Sequence, residues 1–583
     1  MDSTFQLAPV LHAWLSEGWR RAHGIDLPSR GWAACPLPQN ADLTHAGALL
    51  AARGLGQSPR VVADAWVEAL SPHPFVTAVE AVGPGHLNLR LSPSGWKALL
   101  AHGPAAFETP AVPPPTLVEF VSANPTGPLH LGHARQAVLG DVLARLLKRL
   151  GGPVATEFFY NDAGAQIDRL EESVRLRAEE LGGAALAFER DGAQAEALPP
   201  DTYLFPSEGY HGAYATDIAQ AWLHQGGRPT DAGLRAFAIA AIQAEQQADL
   251  AHLGVVFDGR VSERSLHEDG RVARTVAALR PHAYQALQPN QADGPPPTDA
   301  QPAWFLQTTR WGDDKDRVMV KADGSVTYFV PDVAYHLDKW ARGWKRAINL
   351  QGSDHHGTLA RVRAGVQAVD PTIGPAYPQV LFHTMIRVVK DGRPVKASKR
   401  AGDYVTARDV AEQVGVDAFR LAMLDKKPDT PMVLDVDAWL NPCALNPVHS
   451  IQYAHARLCS ALDKASAAPL GPESAPDWHP AERALLVQLA LWESRLGGAA
   501  LDADPVRAAH LVREMASTVH ESYQKGPRLI ALDAPSREAR VGLYGHAINR
   551  LRAASALLGI GCPERMHVPE AAPASPLPRP SPY

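Results

Sequence analysis

The sequence predicts a multidomain α/β protein with a small N-terminal α/β unit, a central α/β domain and an all-α C-terminal domain. Three observations carry this. The length, 583 residues, is more than one core fills and suggests two to four domains. A short apolar strand at 117–121 runs through a turn into a long amphipathic helix, as βαβ units begin. From about Asn441 onward a helical apolar period covers 451–464, 481–497, 505–524 and 538–558.

Composition narrows the class. With 46% hydrophobic and 20% charged residues, the bulk of the chain is ordinary globular protein, which excludes disorder, collagen and coiled coil. The four cysteines, Cys35, Cys443, Cys459 and Cys562, are far apart and form no C-x-x-C pair, so neither a disulfide framework nor a thiolate zinc site is expected. The first 21 residues lack the apolar core of a signal peptide, and no apolar run reaches the roughly 18 residues of a membrane span. A soluble, reduced, cytoplasmic protein is expected. The net charge of −6 does not favour nucleic-acid binding, but a local basic face can coexist with an acidic remainder.

Residues 103–115 are Pro-rich and read as a linker. Before them lie a helical stretch at 61–70 and a strand at 86–91. Residues 182–205 and 288–302 read as insertions or loops, and the tail after Met566 is too poor in apolar residues to pack. The expected domains are therefore 1–105, 106–440 and 441–566, with a disordered tail at 567–583.

The segment 118–150 carries the strongest chemical signal. Asn124-Pro125 and Gly127-Pro128 enforce a turn. The next helix starts near His130, with Ala134, Val138, Val142, Leu146 and Leu150 on its apolar face and Leu139, Leu143 and Leu147 alongside. Lys148 and Arg149 suit its C-terminal dipole, and Gly151-Gly152 stops it. Its first turn holds His130 and His133, with Gly132 allowing a ligand near the backbone. Strand, turn and a helix N-terminus with two imidazoles make a phosphate-binding arrangement, against the plainer alternative of a buried helix that happens to contain histidines. Further along, Lys396, Ser398, Lys399 and Arg400 form a basic cluster in a loop after a strand at 385–389. Lysine is scarce, 13 in all, so three cations in five positions suit a mobile loop closing over a triphosphate. A solvated basic turn is the alternative, and Lys426-Lys427 shows that lysine pairs also occur elsewhere.

HLGH and KASKR, in this order around an α/β core, resemble the HIGH and KMSKS motifs of class I aminoacyl-tRNA synthetases. The words VEFVSANPTGPLHLGHAR, YNDAGAQI, TYFVPDVAYH, QYAHAR and LLGIGCPERM resemble the arginyl-tRNA synthetase family in particular. The resemblance implies a Rossmann-like catalytic domain, an N-terminal module touching the tRNA elbow and a helical anticodon-binding domain. It implies activation of L-arginine by ATP to arginyl-adenylate and pyrophosphate, then transfer of arginine to the 3′ end of tRNA(Arg). ATP would carry Mg²⁺; no zinc and no membrane are expected. The absence of an obvious exposed apolar helix favours a monomer.

Residue by residue, the resemblance places Glu119, Ser122, Asn124, Tyr328 and Asp332 on arginine, whose ionised guanidinium calls for carboxylate acceptors. The plainer role for Asp332 is a helix N-cap. The HIGH-like stretch is Ala123, Asn124, Pro125, Thr126, Gly127, Pro128, Leu129, His130, Leu131, Gly132 and His133. In it, His130, Gly132 and His133 would bind ATP, the histidines stabilising the pentavalent α-phosphate. Lys399, supported by Lys396, would neutralise the leaving pyrophosphate. Tyr453 and Arg457 are candidates for the RNA contact, Tyr453 by base stacking.

Three departures stand out. Ala397 replaces the Met of KMSKS, Phe329-Val330-Pro331 lacks the Thr-Arg seen in some members, and the last 17 residues match nothing. The Gly352–Gly357 stretch, with its Asp-His-His, could suggest a metal but lacks spaced partner ligands. A strand-to-helix turn beside the adenosine pocket suits it better. Two rival functions remain open: a small-acid adenylating enzyme of the same HxGH superfamily, which would not need the helical third, and a non-catalytic tRNA-binding relative, which would be expected to lose His130, His133 and Lys399.

Overall fold

A computed structural model describes residues 7–27, 32–35, 41–102, 111–189, 194, 198–199, 201–287, 301–390, 392–395, 406–440, 446–465 and 477–566. The tail at 567–583 and the basic cluster at 396–400 lie outside these residues. The chain divides into two compact units, one of Met1–Pro110, Pro442–Gly498 and His510–Tyr583, the other of Ala111–Asn441 and Ala499–Ala509.

The second unit is built on five parallel strands: β1 (Thr116–Glu119), β2 (Val154–Tyr160), β3 (Gly259–Ser262), β4 (Arg346–Gly352) and β5 (Gln379–His383), in the order β5-β4-β1-β2-β3. All four residues of β1 are buried, as befits the central strand of a sheet covered on both faces. Helix α1 (Leu131–Arg149) connects β1 to β2. The expected apolar face is buried down to Leu147, with Leu150 half-buried, but so are Arg135, Gln136 and Asp141. The spacing predicts an amphipathic helix; this one is enclosed nearly all round. Its buried charges therefore find partners. The Arg135 guanidinium donates to the carbonyls of Thr384, Lys426 and Lys427 at 2.9–3.3 Å, and Asp141 meets Arg420 at 2.5 Å.

Further helices of this unit are α2 (Ala165–Leu181), α3 (Leu234–His252), α4 (Phe329–Ala341) and α5 (His356–Val369). The stretch 182–205, expected to be an insertion or a loop, contains two short strands, Ala185–Phe188 and Thr202–Phe205, paired in parallel. At four residues each, they are too short to stand out from an Ala- and Gly-rich background. Of 288–302, residues 288–300 lie outside the description.

In the first unit an antiparallel sheet runs Trp32–Ala34, Leu43–His45, His86–Leu91, Val76–Val82. The strand at 86–91 forms where the alternation places it, and the helix expected at 61–70 forms at Pro59–Glu68, with the Ser58 hydroxyl accepting from Val61 N as its cap. The helical C-terminal stretches form α6 (Pro447–Ala465), α7 (Pro480–Leu501), α8 (Pro505–Lys525) and α9 (Ala534–Leu558). Val487, Ala490 and Leu491 of α7 join the core made by Leu11, Trp19, Trp66 and Leu87. Arg540 and Glu482, both buried, tie α9 to the start of α7 at 2.7 and 2.9 Å. Among the described residues no helix is long and apolar enough to cross a membrane.

Gly140 marks the tightest contact of α1. A Cβ there would lie 2.2–2.6 Å from the Phe120 ring just past β1. Gly140→Ala is expected to destabilise the protein by about 1–3 kcal/mol, read as a lower melting temperature.

Candidate active site

The chain runs outward from β1 through β2 to β3, then returns to β4 on the other side of β1. In open parallel sheets ligands bind at the carboxyl ends of the strands where the connections diverge, which here are the ends of β1 and β4. Glu119 ends β1, Gly352 ends β4, and the N-termini of α1 and α4 belong to the same region of the chain's path. The Gly352–Gly357 stretch is the expected strand-to-helix turn, with Ser353–His355 forming a short 3₁₀ turn before α5.

Beyond Glu119 the strand stops two residues earlier than its apolar pattern suggests. Val121 (φ 68°) and Ser122 (φ 44°) are both left-handed, an unfavourable conformation for a non-glycine residue and most of all for a β-branched one. The turn brings Ser122 Oγ back to donate to Glu119 Oε1 at 2.9 Å, while it accepts from Phe159 N at 3.3 Å. Asn124 is held from the other side. Its Oδ1 accepts from Asn161 N at 3.2 Å, and its Nδ2 donates to Gln166 Oε1 at 2.9 Å. Gln246 Nε2 of α3 donates to the carbonyls of Asn124 and Gly127, and the Tyr214 hydroxyl donates to that of Thr126.

His130 and His133 cap α1 reciprocally. Each Nδ1 accepts from the other's backbone N–H at 3.3 Å, and the rings stack 3.6 Å apart at 12°. Accepting at Nδ1 assigns the ring proton to Nε2 in each neutral imidazole, a donor suited to phosphate oxygens. Gly132 has a different role from the one its sequence suggests. A Cβ there would lie 2.9 Å from His130 Cε1 and 3.0 Å from Nδ1, so the glycine makes room for the ring itself.

Across the sheet, Asn349 of β4, Glu119 of β1 and Glu157 of β2 stand in register as one polar row. Helix α4 lays its polar stripe on this row. Lys339, fully buried, meets Glu119 Oε2 at 2.5 Å and Asn349 Oδ1 at 3.3 Å. The Tyr335 hydroxyl and the Arg342 guanidinium both donate to Glu157 at 2.7–2.9 Å. Burial would raise the Glu157 carboxyl, but these bonds hold it below its ordinary value.

Asp332 lies in the first turn of α4, four residues past the N-cap position held by Tyr328, so it is not the N-cap. Burial, then the neighbouring charges of Glu119 and Glu263, push its carboxyl up to about 7, and Lys339 acts in the opposite direction. Glu263, at the start of a short helix after β3, is also raised, by burial and by Asp162. The site thus gathers Glu119, Ser122 and Asp332, and adds Glu263 and Lys339, which sequence reasoning missed. The word SER around Glu263 carries no signal, whereas Asp332, Tyr335, His336, Lys339 and Arg342 repeat at helical spacing and could have revealed a polar underside. Tyr328 is 62% exposed and engages the Arg361 guanidinium rather than the carboxylates. Lys396 and Lys399 lie outside the described residues. In α6, Tyr453 is 40% exposed, which sets aside a core aromatic. Arg457 lies over its ring at 5.5 Å and over Tyr523 at 4.5 Å, and His520 stacks on it at 5.5 Å. Among the described residues no group of three His, Cys, Asp or Glu side chains is placed to hold a metal ion.

Comparison with known proteins decides the family. Residues 33–91 match the arginyl-tRNA synthetase N-terminal domain and residues 451–566 the DALR anticodon binding domain. An arginine–tRNA ligase of Methylibium petroleiphilum is 41% identical over 567 residues, covering 92% of this chain and 95% of that protein. The chain belongs to the arginyl-tRNA synthetase family. The arginine–tRNA ligase of Herminiimonas arsenicoxydans is 40% identical, covering 92% of this chain and 94% of its own. In fold, the chain matches Thermus thermophilus arginyl-tRNA synthetase with a TM-score of 0.69 at 21% identity, over 96% of this chain and all of that one. The class I architecture expected from the HLGH and KASKR words is thus the observed one: a parallel-sheet core, a small N-terminal domain and a helical C-terminal domain.

Because Asp332 titrates near 7 when folded and near 3.8 when unfolded, the native state holds the extra proton between these values. Its contribution to stability is present below pH about 4, falls as pH rises through that window, and is gone above about 7. Asp332→Asn is therefore expected to be more stable than the parent at pH 8, by up to about 4 kcal/mol, with the difference vanishing near pH 4. Thermal unfolding across pH reads this directly.

Proposed function

We propose that the chain performs the family's reaction, the ATP-dependent charging of tRNA(Arg) with L-arginine, in the crevice at the ends of β1 and β4. The observation that supports this most is the grouping of three carboxylates, with Glu119 and Glu263 close enough to act on Asp332, and the His130–His133 pair at the head of the helix that follows β1. Such a lining attracts a guanidinium and repels an acid, which disfavours a small-acid adenylating enzyme.

In this reading Asp332, with Glu263, receives the guanidinium, Tyr328 joins them by leaving Arg361, and Ser122 and Asn124, with Glu119, hold the amino-acid end. The arginine carboxylate attacks the α-phosphorus of ATP in line, and the bond to pyrophosphate breaks. His130 and His133 donate from Nε2 to the phosphate as its charge builds, with Gly132 keeping their rings paired. Lys399 and Lys396 neutralise the departing pyrophosphate, and Mg²⁺ travels with the triphosphate. The ribose hydroxyl at the 3′ end of tRNA then attacks the arginyl carbonyl, and AMP leaves. Residues 106–440 carry this chemistry, 1–105 meets the tRNA elbow and 441–566 the anticodon, with Tyr453 and Arg457 as an aromatic-cation surface for an unstacked base. The protein works as a monomer in the cytoplasm, without a membrane.

Offered each of the twenty amino acids with ATP, Mg²⁺ and total tRNA, the protein is expected to charge arginine alone; charging of any other amino acid instead, or of none, sinks the reading. Asp332→Asn should raise KM for arginine at least tenfold and leave KM for ATP within about twofold. An arginine KM changed by less than twofold, roughly 0.4 kcal/mol, removes Asp332 from the pocket. Since the guanidinium needs the ionised carboxylate, kcat/KM for arginine should fall by up to about tenfold per pH unit below 7 in the parent, and this acid limb should disappear in the variant.

A further inference from the structure

Two carboxylates assigned above to the amino-acid pocket sit on different elements, Glu119 at the end of β1 and Asp332 in the first turn of α4. A continuous run of internal hydrogen bonds connects these elements. Lys339 Nζ donates to Glu119 Oε2 at 2.5 Å and to Asn349 Oδ1 at 3.3 Å. Asn349 Nδ2 lies 2.9 Å from His336 Nε2, and His336 Nδ1 lies 2.7 Å from the carbonyl oxygen of Asp332.

The chemistry fixes the direction of every link. A carbonyl oxygen only accepts, so His336 carries its proton on Nδ1. Its Nε2 must then accept from the Asn349 amide, which turns the amide oxygen toward the ammonium. The imidazole stays neutral: burial, then the Lys339 charge, lower it to about 3. The linking side chains are shielded from water, with Lys339 0%, Asn349 1% and His336 4% exposed.

We infer that Lys339, Asn349 and His336 are positioning residues for the amino-acid pocket, holding the Asp332 turn at a fixed depth and orientation beside Glu119. The inference rests on the arginine reading of the crevice. An apolar underside would dock α4 without the desolvation cost of a buried ammonium, and Val330, Val333 and Ala334 already pack into the core. What the polar run adds is directionality, because each hydrogen bond is tolerant of little displacement. The run occupies positions 332, 336 and 339, spaced by four and three, so one stripe of α4 carries the whole connection. The charged groups acting on Asp332 are Glu119 from β1, Glu263 from the helix after β3, and Lys339 from α4 itself. Two of these three are set in place by the sheet or by the run, so a shift of the turn alters how Asp332 ionises.

Asn349→Leu, nearly the same size, cuts the run at its centre and leaves the Lys339–Glu119 pair and all pocket carboxylates in place. With the full chain, the expected result is at least a fivefold rise in KM for arginine, KM for ATP within twofold, and an acid limb of kcat/KM for arginine displaced by at least half a pH unit. A merely structural asparagine would lower the amount of active enzyme and leave both KM values and the acid limb unmoved, which would overturn the inference. The ring nitrogens of His336 in the parent protein give a second readout that needs no folded Asn349 variant. In ¹⁵N spectra, with the signal identified by its loss in His336→Gln, protonation at Nδ1 is expected, and protonation at Nε2 overturns the inference. A parent protein that fails to charge arginine overturns the arginine reading beneath it; a parent that charges arginine, beside an Asn349→Leu protein with an unchanged arginine KM, overturns the positioning role alone.

Discussion

The contact between Lys339 and Glu119 is the interaction on which the site depends. It joins a helix to the central strand inside the protein, where an unpaired charge of either sign would cost several kcal/mol. The pair is stable because its remaining hydrogen-bonding capacity is met: Ser122 takes the second carboxylate oxygen, and Asn349 takes another ammonium proton. Next to it, the Glu157 carboxylate is satisfied in the same manner by Tyr335 and Arg342. Helix α4 is thus pinned at two points along its length by groups that accept little lateral shift, and its first turn is located by them.

The loop between β1 and α1 shows a related economy. It leaves the strand through two left-handed residues, and hydrogen bonds from α3, from the Asn161 backbone and from Tyr214 hold the stretch from Asn124 to Gly127. Strain of this kind persists only where surrounding contacts outnumber the ways to relax it. Here the same loop delivers Ser122 to Glu119 and carries the chain to the paired histidines at the head of α1. In the proposed reading, the pocket for the amino acid and the cradle for phosphate are therefore two ends of one constrained segment.

Much of this is legible in the sequence. The period of α1 and of the four C-terminal helices, the alternation at 86–91, and the strand-turn-helix around His130 each arise from side-chain spacing, and the family words locate Glu119, Ser122 and Asp332. The illegible part depends on the third dimension. Spacing cannot reveal that Val121 and Ser122 turn left-handed, since nothing in their side chains favours it. Nor can it show that Asn349 falls opposite Glu119, because strand register emerges only when β4 returns to β1 after more than two hundred intervening residues. Glu263 arrives from the end of β3 for the same reason. Resemblance places Tyr328 with the substrate, and its exposed position against Arg361 belongs to the side-chain packing of α4 and α5.

The glycine between the paired histidines has a consequence of another kind. Its lack of a side chain is required by the His130 ring, a neighbour in the same turn, before any nucleotide is considered. The four-letter word is therefore a record of how two rings fit together. A descendant that abandoned its substrates but kept the paired rings would go on spelling it the same way, so the word by itself reports ancestry and local shape, and only the groups around it report employment.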